Sequence, residues 1–174
     1  PDETTRNTLV LPYNDVEVLE RTIEREGDDI AGVIVEPVIG NAGVILPKDG
    51  YLKRIRELTK DKGVVLIFDE VITGFRLALG GAQEYYGIIP DMVALGKVMG
   101  GGFPIAAFGG RREIMEIIST SGRVYQAGTF SGNPISVVAG LATLKSIKAK
   151  RESFYQELDL KRGIICDAVK DLAE

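Results

Sequence analysis

Three ionisable residues each stand at the end of an apolar stretch of the chain. Glu36 ends the run AGVIVE, Asp69 ends VVLIFD, and Lys97 follows DMVALG. Short apolar runs bounded by turn residues are typical of buried strands, and the carboxyl ends of parallel strands lie along one edge of a sheet. We therefore expect a carboxylate and a lysine to lie close together, at the edge where such sheets bind ligands.

A lysine beside a carboxylate at the mouth of a crevice suits Schiff-base chemistry. Burial disfavours the ammonium form of lysine, and the neutral amine is the nucleophile that forms a Schiff base. Pyridoxal phosphate needs such a lysine, and it needs an acid beside its pyridine nitrogen to keep that nitrogen protonated. Donors for its phosphate are expected in GTFSGNP, residues 128–134, just ahead of a predicted helix. Lys97 and Asp69 are therefore the candidate catalytic residues.

Simpler interpretations of the same residues exist. A single lysine after a strand is commonly a solvated surface residue, and Asp69 and Glu70 could begin a turn. GKVMGGGFP is not a P-loop, because Val98 follows the Gly-Lys pair and the earlier glycine is missing, and it does not match the Gly-x-Gly-x-x-Gly dinucleotide pattern. Spacing alone leaves both the cofactor site and the surface interpretation open.

Composition excludes several other chemistries. The 174 residues include no histidine and one cysteine, Cys166, which excludes His-containing catalytic triads, His- or thiolate-based zinc sites and an internal disulfide. The single thiol favours a reducing, cytoplasmic setting. The net charge is −4 with scattered basic residues, and no apolar run is long enough to span a bilayer. Neither nucleic acid nor a membrane is an expected partner, and no metal site is expected.

Apolar runs alternate with amphipathic segments along the chain. This alternation predicts an α/β fold with a mostly parallel sheet and helices on both faces, in one domain over residues 1–174. The first helix is predicted to begin at an Asn14 N-cap with Glu17 as capping-box partner. A second helix is predicted over YLKRIRELTKDK, and PIAAFGG is a fourth strand candidate after the three described above.

Four long motifs resemble one known family, in its order and spacing. They are EPVIGN, FDEVITGFR, LGKVMGGGFPIAAFGGR and YQAGTFSGNP. Their order and spacing resemble the class III aminotransferases, which are pyridoxal-phosphate enzymes of fold type I. The resemblance covers nearly the whole chain and implies the central part of the large domain. It also implies that this family's amino-terminal half and its carboxyl-terminal small domain lie outside the chain.

The resemblance assigns roles to residues that match the family motifs. It makes Lys97 the Schiff-base lysine and the proton carrier between substrate carbons. Asp69 would pair with the pyridinium nitrogen, and Val71 would pack on the ring. Asn41 would donate to the phenolic oxygen, because Ile72 stands where many members have glutamine.

The remaining motif residues imply a shared site. Gly128 and Thr129 would bind the cofactor phosphate of the neighbouring subunit, which implies a homodimer with a phosphate site shared across subunits. Glu36 and Arg76 are expected to be structural, holding the loops at the strand ends by hydrogen bonds.

Details of the motifs favour the aminomutases of the family. These details are QAGT at 126–129, three glycines at 100–102 and FGGR at 108–111. The implied reaction exchanges amino and oxo groups within glutamate 1-semialdehyde to give 5-aminolevulinate, starting from the pyridoxamine 5'-phosphate form of pyridoxal 5'-phosphate. Two alternatives stay open at this point: a class III ω-amino-acid aminotransferase with a separate amino acceptor, and a folded fragment or binding module without turnover of its own.

Overall fold

A four-stranded sheet organises the computed structural model, which describes residues 1–119 and 121–173. The strands are β1 (Gly32–Val35), β2 (Val65–Glu70), β3 (Met92–Leu95) and β4 (Ala107–Gly110), and they follow one another across the sheet in this order. The first three are parallel, and β4 is antiparallel to β3. The predicted α/β fold with a mostly parallel sheet is confirmed.

Helices connect and flank the strands. They are α1 (Asp2–Thr5), α2 (Val16–Glu26), α3 (Tyr51–Asp61), α4 (Gly81–Tyr86), α5 (Arg112–Met115), α6 (Pro134–Ala149) and α7 (Arg151–Ala173). A single 3-10 turn over Lys97–Gly100, here called the lysine turn, directly follows β3. Within the described ranges, no helix combines the length and the apolar character that crossing a bilayer would require.

Helix α2 begins one residue later than the capping pattern predicts. Asp15 is its N-cap, and its carboxylate accepts a hydrogen bond from Val18 N at 3.0 Å. Asn14 instead adopts a left-handed conformation with φ of 66°, and its side-chain amide bonds Leu46 O and Lys48 N at 2.8 and 2.7 Å. The prediction of Asn14 as the cap was wrong, because both residues suit a cap and only a distant loop decides which one is used.

The main core lies on one face of the sheet. Leu66 and Phe68 of β2 are fully buried against α2 and α3, where Ile23 and Ile55 are each 1% exposed. Strand residues alternate between faces, so Ile34, Ile67 and Asp69 point to the opposite side. On that side Ile34 is 67% exposed. Asp69 therefore lies on a sheet face that the described helices leave partly open.

A buried carboxylate holds the other end of the strands. Asp91, just before β3, accepts hydrogen bonds from Leu66 N and Arg56 at 2.8 Å and from Arg111 at 3.0 Å. Burial alone would raise the pKa of Asp91, but these hydrogen bonds outweigh it and hold the pKa below its ordinary value. Asp91 thus ties β2, α3 and the end of β4 together, opposite the edge that carries the candidate site.

Candidate functional site

Two neighbouring carboxylates at the end of β2 point to opposite faces of the sheet. Asp69 is half-buried, and its Oδ1 accepts a hydrogen bond from Val71 N at 3.0 Å. Among the residues that the structure describes, its Oδ2 has no hydrogen-bond partner. The turn after β2 therefore fixes one oxygen of Asp69 and leaves the other available to a ligand.

Glu70 is enclosed on the other face. It is fully buried, and its Oε2 accepts from Thr73 Oγ1 at 3.0 Å and from Ala82 N. Its Oε1 accepts from Gln83 N at 3.2 Å and from Gln83 Nε2 at 3.1 Å. Glu70 thus joins the end of β2 to the first turn of α4, where Gly81 has a φ of 73° and its Cα faces the carboxylate. Sequence reasoning missed this role, because nothing in the spacing links Glu70 to a helix that starts eleven residues later.

Lys97 follows the neighbouring strand β3, at the same edge of the sheet as Asp69. Asp69 is paired in register with Ala94 of β3, three residues before the lysine. Val71 packs beside Gly96, since a Cβ placed on that glycine would lie 3.5 Å from Val71 Cγ1. The turn after β2 is therefore in contact with the backbone that presents Lys97. The Lys97 side chain is exposed, so the described part of the chain does not itself enclose it in a crevice.

The loop after β1 packs against the turn after β2. Ile39 and Ile45 pair across this loop, and Gly40 lies directly against the side chain of Ile72. Asn41, next along the loop, is exposed. This contact places the Asn41 loop beside the residues that follow Asp69.

Glu36 and Arg76 both hold loop backbone. Glu36 Oε2 accepts a hydrogen bond from Gly40 N at 3.0 Å, which braces the Asn41 loop. Arg76 Nε donates to Ile72 O at 3.0 Å, within the turn after β2. Both contacts are those of residues that hold the loops at the strand ends.

The loop before α6 is held by hydrogen bonds within itself and to the first turn of the helix. Ser131 N donates to Gly128 O at 2.9 Å, and the Asn133 carbonyl oxygen Oδ1 accepts from Ile135 N and Ser136 N at 3.1 and 3.2 Å. Asn133 therefore caps the first amides of α6, which lie just beyond the predicted donor stretch 128–134. The exposed residues Gly128 and Thr129 keep their own backbone and hydroxyl donors. Within the described residues, no hydrogen bond joins this loop to Asp69 or Lys97.

The chain is similar to proteins of known family. The family model for aminotransferase class III matches residues 4–174. Over 98% of its length the chain is 57% identical to a glutamate-1-semialdehyde 2,1-aminomutase of Methanosarcina acetivorans, of which it covers 41%. The chain thus spans about two fifths of the length of that curated relative.

Solved structures give the same fold. An omega-transaminase from Sphaerobacter thermophilus superimposes with a TM-score of 0.80 and 40% identity, over 84% of this chain and 34% of that one. A structure described as a transaminase with PLP bound superimposes with a TM-score of 0.79 and 34% identity, over 84% of this chain and 35% of that one. The arrangement of strands around Asp69 and Lys97 is therefore one that transaminases share.

Proposed function

Because the chain belongs to the class III aminotransferase family, we propose that the protein is a pyridoxal-phosphate-dependent aminomutase that converts glutamate 1-semialdehyde to 5-aminolevulinate. The observation that carries the proposal is the edge formed by β2 and β3. At this edge, Asp69 near the end of β2 has an available carboxylate oxygen. The apolar side chain of Val71 follows β2, and the exposed amine of Lys97 follows the neighbouring strand β3. The substrate class is supported by the 57% identity to an aminomutase.

The residues of this edge fit the proposed cofactor. Asp69 has one oxygen held by its own turn and one left for a protonated ring nitrogen. Val71, which lies beside Gly96, offers an apolar side chain suited to the face of an aromatic ring. When bound, the cofactor supplies an electron sink for the bond that is broken at the substrate carbon.

Four residues at this edge have separate roles in the proposed reaction. The Lys97 amine attaches the cofactor and then moves a proton between the substrate carbons at its Nζ. The Asp69 carboxylate keeps the ring nitrogen protonated, because a neighbouring negative charge favours the protonated form. Asn41 donates to the phenolic oxygen from the loop that packs on Ile72. Val71 holds the ring against the sheet edge.

Gly128 and Thr129 are proposed to serve the phosphate of a second subunit. The loop carrying them is exposed and makes no hydrogen bond with the Lys97 edge of its own chain, within the described residues. The following helix exposes large apolar side chains, with Val138 67% exposed and Leu141 52% exposed. Apolar surface of this kind marks a protein–protein interface, which supports a homodimer with shared sites.

An ω-amino-acid aminotransferase is the competing function, favoured by the structural similarity to an omega-transaminase. The two differ in the origin of the amino group. An aminomutase in its pyridoxamine 5'-phosphate form makes 5-aminolevulinate from glutamate 1-semialdehyde without any second amino acceptor. An aminotransferase needs that acceptor for every turnover.

Borohydride reduction tests the cofactor assignment. In the full-length protein, first converted to its pyridoxal 5'-phosphate form, we expect reduction to fix a pyridoxyl group on Lys97, as located by peptide mass spectrometry. Lys97→Ala should lose the label, whereas Lys53→Ala, which removes an exposed lysine on α3, should keep it. A label on another lysine would contradict the assignment. Product formation without an added amino acceptor then distinguishes the aminomutase from the aminotransferase.

A further inference from the structure

Lys97 has a backbone conformation that is unfavourable for a residue with a side chain. Its φ is 44°, in the left-handed region, and it opens the lysine turn in which Met99 N donates to Gly96 O at 3.2 Å. Residues other than glycine stay in this region only where the surrounding structure holds them there, and such residues cluster at functional sites. The contacts of the lysine turn should therefore identify what holds Lys97.

The lysine turn lies directly on the backbone of α6. A Cβ placed on Gly140, a buried glycine of α6, would lie 3.0 Å from the Met99 carbonyl oxygen. At Gly101, the residue that follows the turn and has a φ of 58°, a Cβ would overlap Thr143 Oγ1. Thr143 is itself fixed, because its hydroxyl donates to Ala139 O at 2.9 Å. Two glycines thus let the turn and the helix approach more closely than side chains would allow.

We propose that Gly140 is a positioning residue for Lys97. By allowing α6 to touch the lysine turn, it holds Lys97 in the left-handed conformation and so sets the direction in which the lysine side chain leaves the backbone. This inference rests on the proposed function of Lys97 as the cofactor lysine. A side chain at residue 140 would push on Met99 O, and the turn would yield because it is short and is followed by two further glycines with positive φ, Gly101 and Gly102.

The strain at Lys97 can be measured without any cofactor. At an ordinary position alanine is more stabilising than glycine, because glycine loses more backbone freedom on folding. At a residue held at positive φ the order reverses. We expect cofactor-free, full-length Lys97→Gly to unfold about 2 °C above Lys97→Ala. The same pair at Lys53, an ordinary helical residue of α3, should show alanine as the more stable variant. Alanine more stable than glycine at both positions would overturn the strain argument.

The positioning role is tested in the cofactor-loaded, full-length protein with Gly140→Ala and Gly140→Val. With the pyridoxal 5'-phosphate form bound, we expect the midpoint of the pH-dependent change in cofactor absorption to move by about half a pH unit or more in the valine variant, because the point where the cofactor is attached is displaced relative to the Asp69 carboxylate. The alanine variant should move less and in the same direction. Gly163→Ala is the control, since this helical glycine of α7 has open space around its Cβ position, and its midpoint should equal that of the wild type.

The outcomes separate the two proposals. A Gly140→Val variant that is destabilised but keeps the wild-type midpoint would show a merely structural glycine and would overturn the inference. The alanine variant adds only one methyl group, so it supplies the same readout where the valine variant does not fold. If the wild-type protein in its pyridoxal 5'-phosphate form shows no borohydride label on Lys97, the proposed function fails instead. The Lys97→Gly and Lys97→Ala comparison still decides whether the residue is strained.

Discussion

We expect the amide substitutions of two adjacent carboxylates to differ in effect: Glu70→Gln should lower the stability of the full-length protein, and Asp69→Asn should lower its activity. Glu70→Gln replaces one of two oxygens that together accept hydrogen bonds from four donor groups in a fully buried site. The Thr73 hydroxyl can turn, and the Gln83 side-chain amide can flip, to accept from the new NH₂ group. The backbone N–H groups of Ala82 and Gln83 cannot reverse, so one of them must be left facing a donor.

The expected loss of stability follows from that geometry. An unpaired buried donor costs about 1–3 kcal/mol, and the remaining hydrogen bonds lose the strengthening that a charged acceptor provides. We expect Glu70→Gln to lower the free energy of unfolding by about 3 kcal/mol in total. Asp69→Asn keeps an oxygen for Val71 N in a half-exposed site, so its stability should change by less than about 1 kcal/mol.

Activity should show the opposite order. The Asp69 carboxylate is the proposed charge partner of the ring nitrogen, so Asp69→Asn should lose about 3 kcal/mol or more of transition-state stabilisation, about 100-fold in kcat/KM. Glu70→Gln should keep most of its activity at temperatures where it is folded. Thermal unfolding of the cofactor-free protein and kcat/KM of the loaded protein measure the two effects. Glu24→Gln, an exposed carboxylate on α2, is the matched control for the chemical change.

Two results would refute this reasoning. A folded Glu70→Gln that loses as much activity as Asp69→Asn would mean that Glu70 has a direct part in the chemistry. Mild effects of both substitutions on kcat/KM would mean that the pyridine contact lies elsewhere.

Two further predictions concern the subunit interface and the response to acid. Inactive full-length Lys97→Ala and Thr129→Val variants, mixed in equal amounts under conditions that exchange subunits, should recover about a quarter of wild-type activity. About half of the dimers are then mixed, and each mixed dimer has one of its two sites intact. No recovery despite proven exchange contradicts a shared site. The lowered pKa of Asp91 stabilises the fold above the unfolded-state pKa of about 3.9, and this stabilisation is lost as pH falls through the lower folded-state pKa. In denaturant unfolding from pH 2 to 7, the free energy of unfolding of Asp91→Asn should therefore fall less steeply with acid than that of the wild type. At pH 7 it should be lower by about 3 kcal/mol. An equally steep fall in both proteins contradicts this role of Asp91.

Local patterns along the chain determined the fold class and the candidate residues. Period and composition identify buried strands from single segments, since a buried strand must be apolar wherever it stands in the sequence. The order of strand and helix then favours a parallel sheet, whose geometry brings the ends that carry Asp69 and Lys97 to one edge. The motifs around Lys97 further indicated the family, which the match over residues 4–174 confirms.

Only the tertiary structure decided what depends on contacts between distant segments. The choice of Asp15 over Asn14 as a cap depends on a loop more than thirty residues away, because Asn14 bonds Leu46 and Lys48. The burial of Glu70 beneath α4 and the contact of Gly140 with the lysine turn have the same origin. Neither contact produces a periodic pattern in the sequence, because each joins one residue to another that is brought close only when the chain folds. The sequence pattern therefore indicated which residues are candidates for the site, and packing between distant segments decided how they are held.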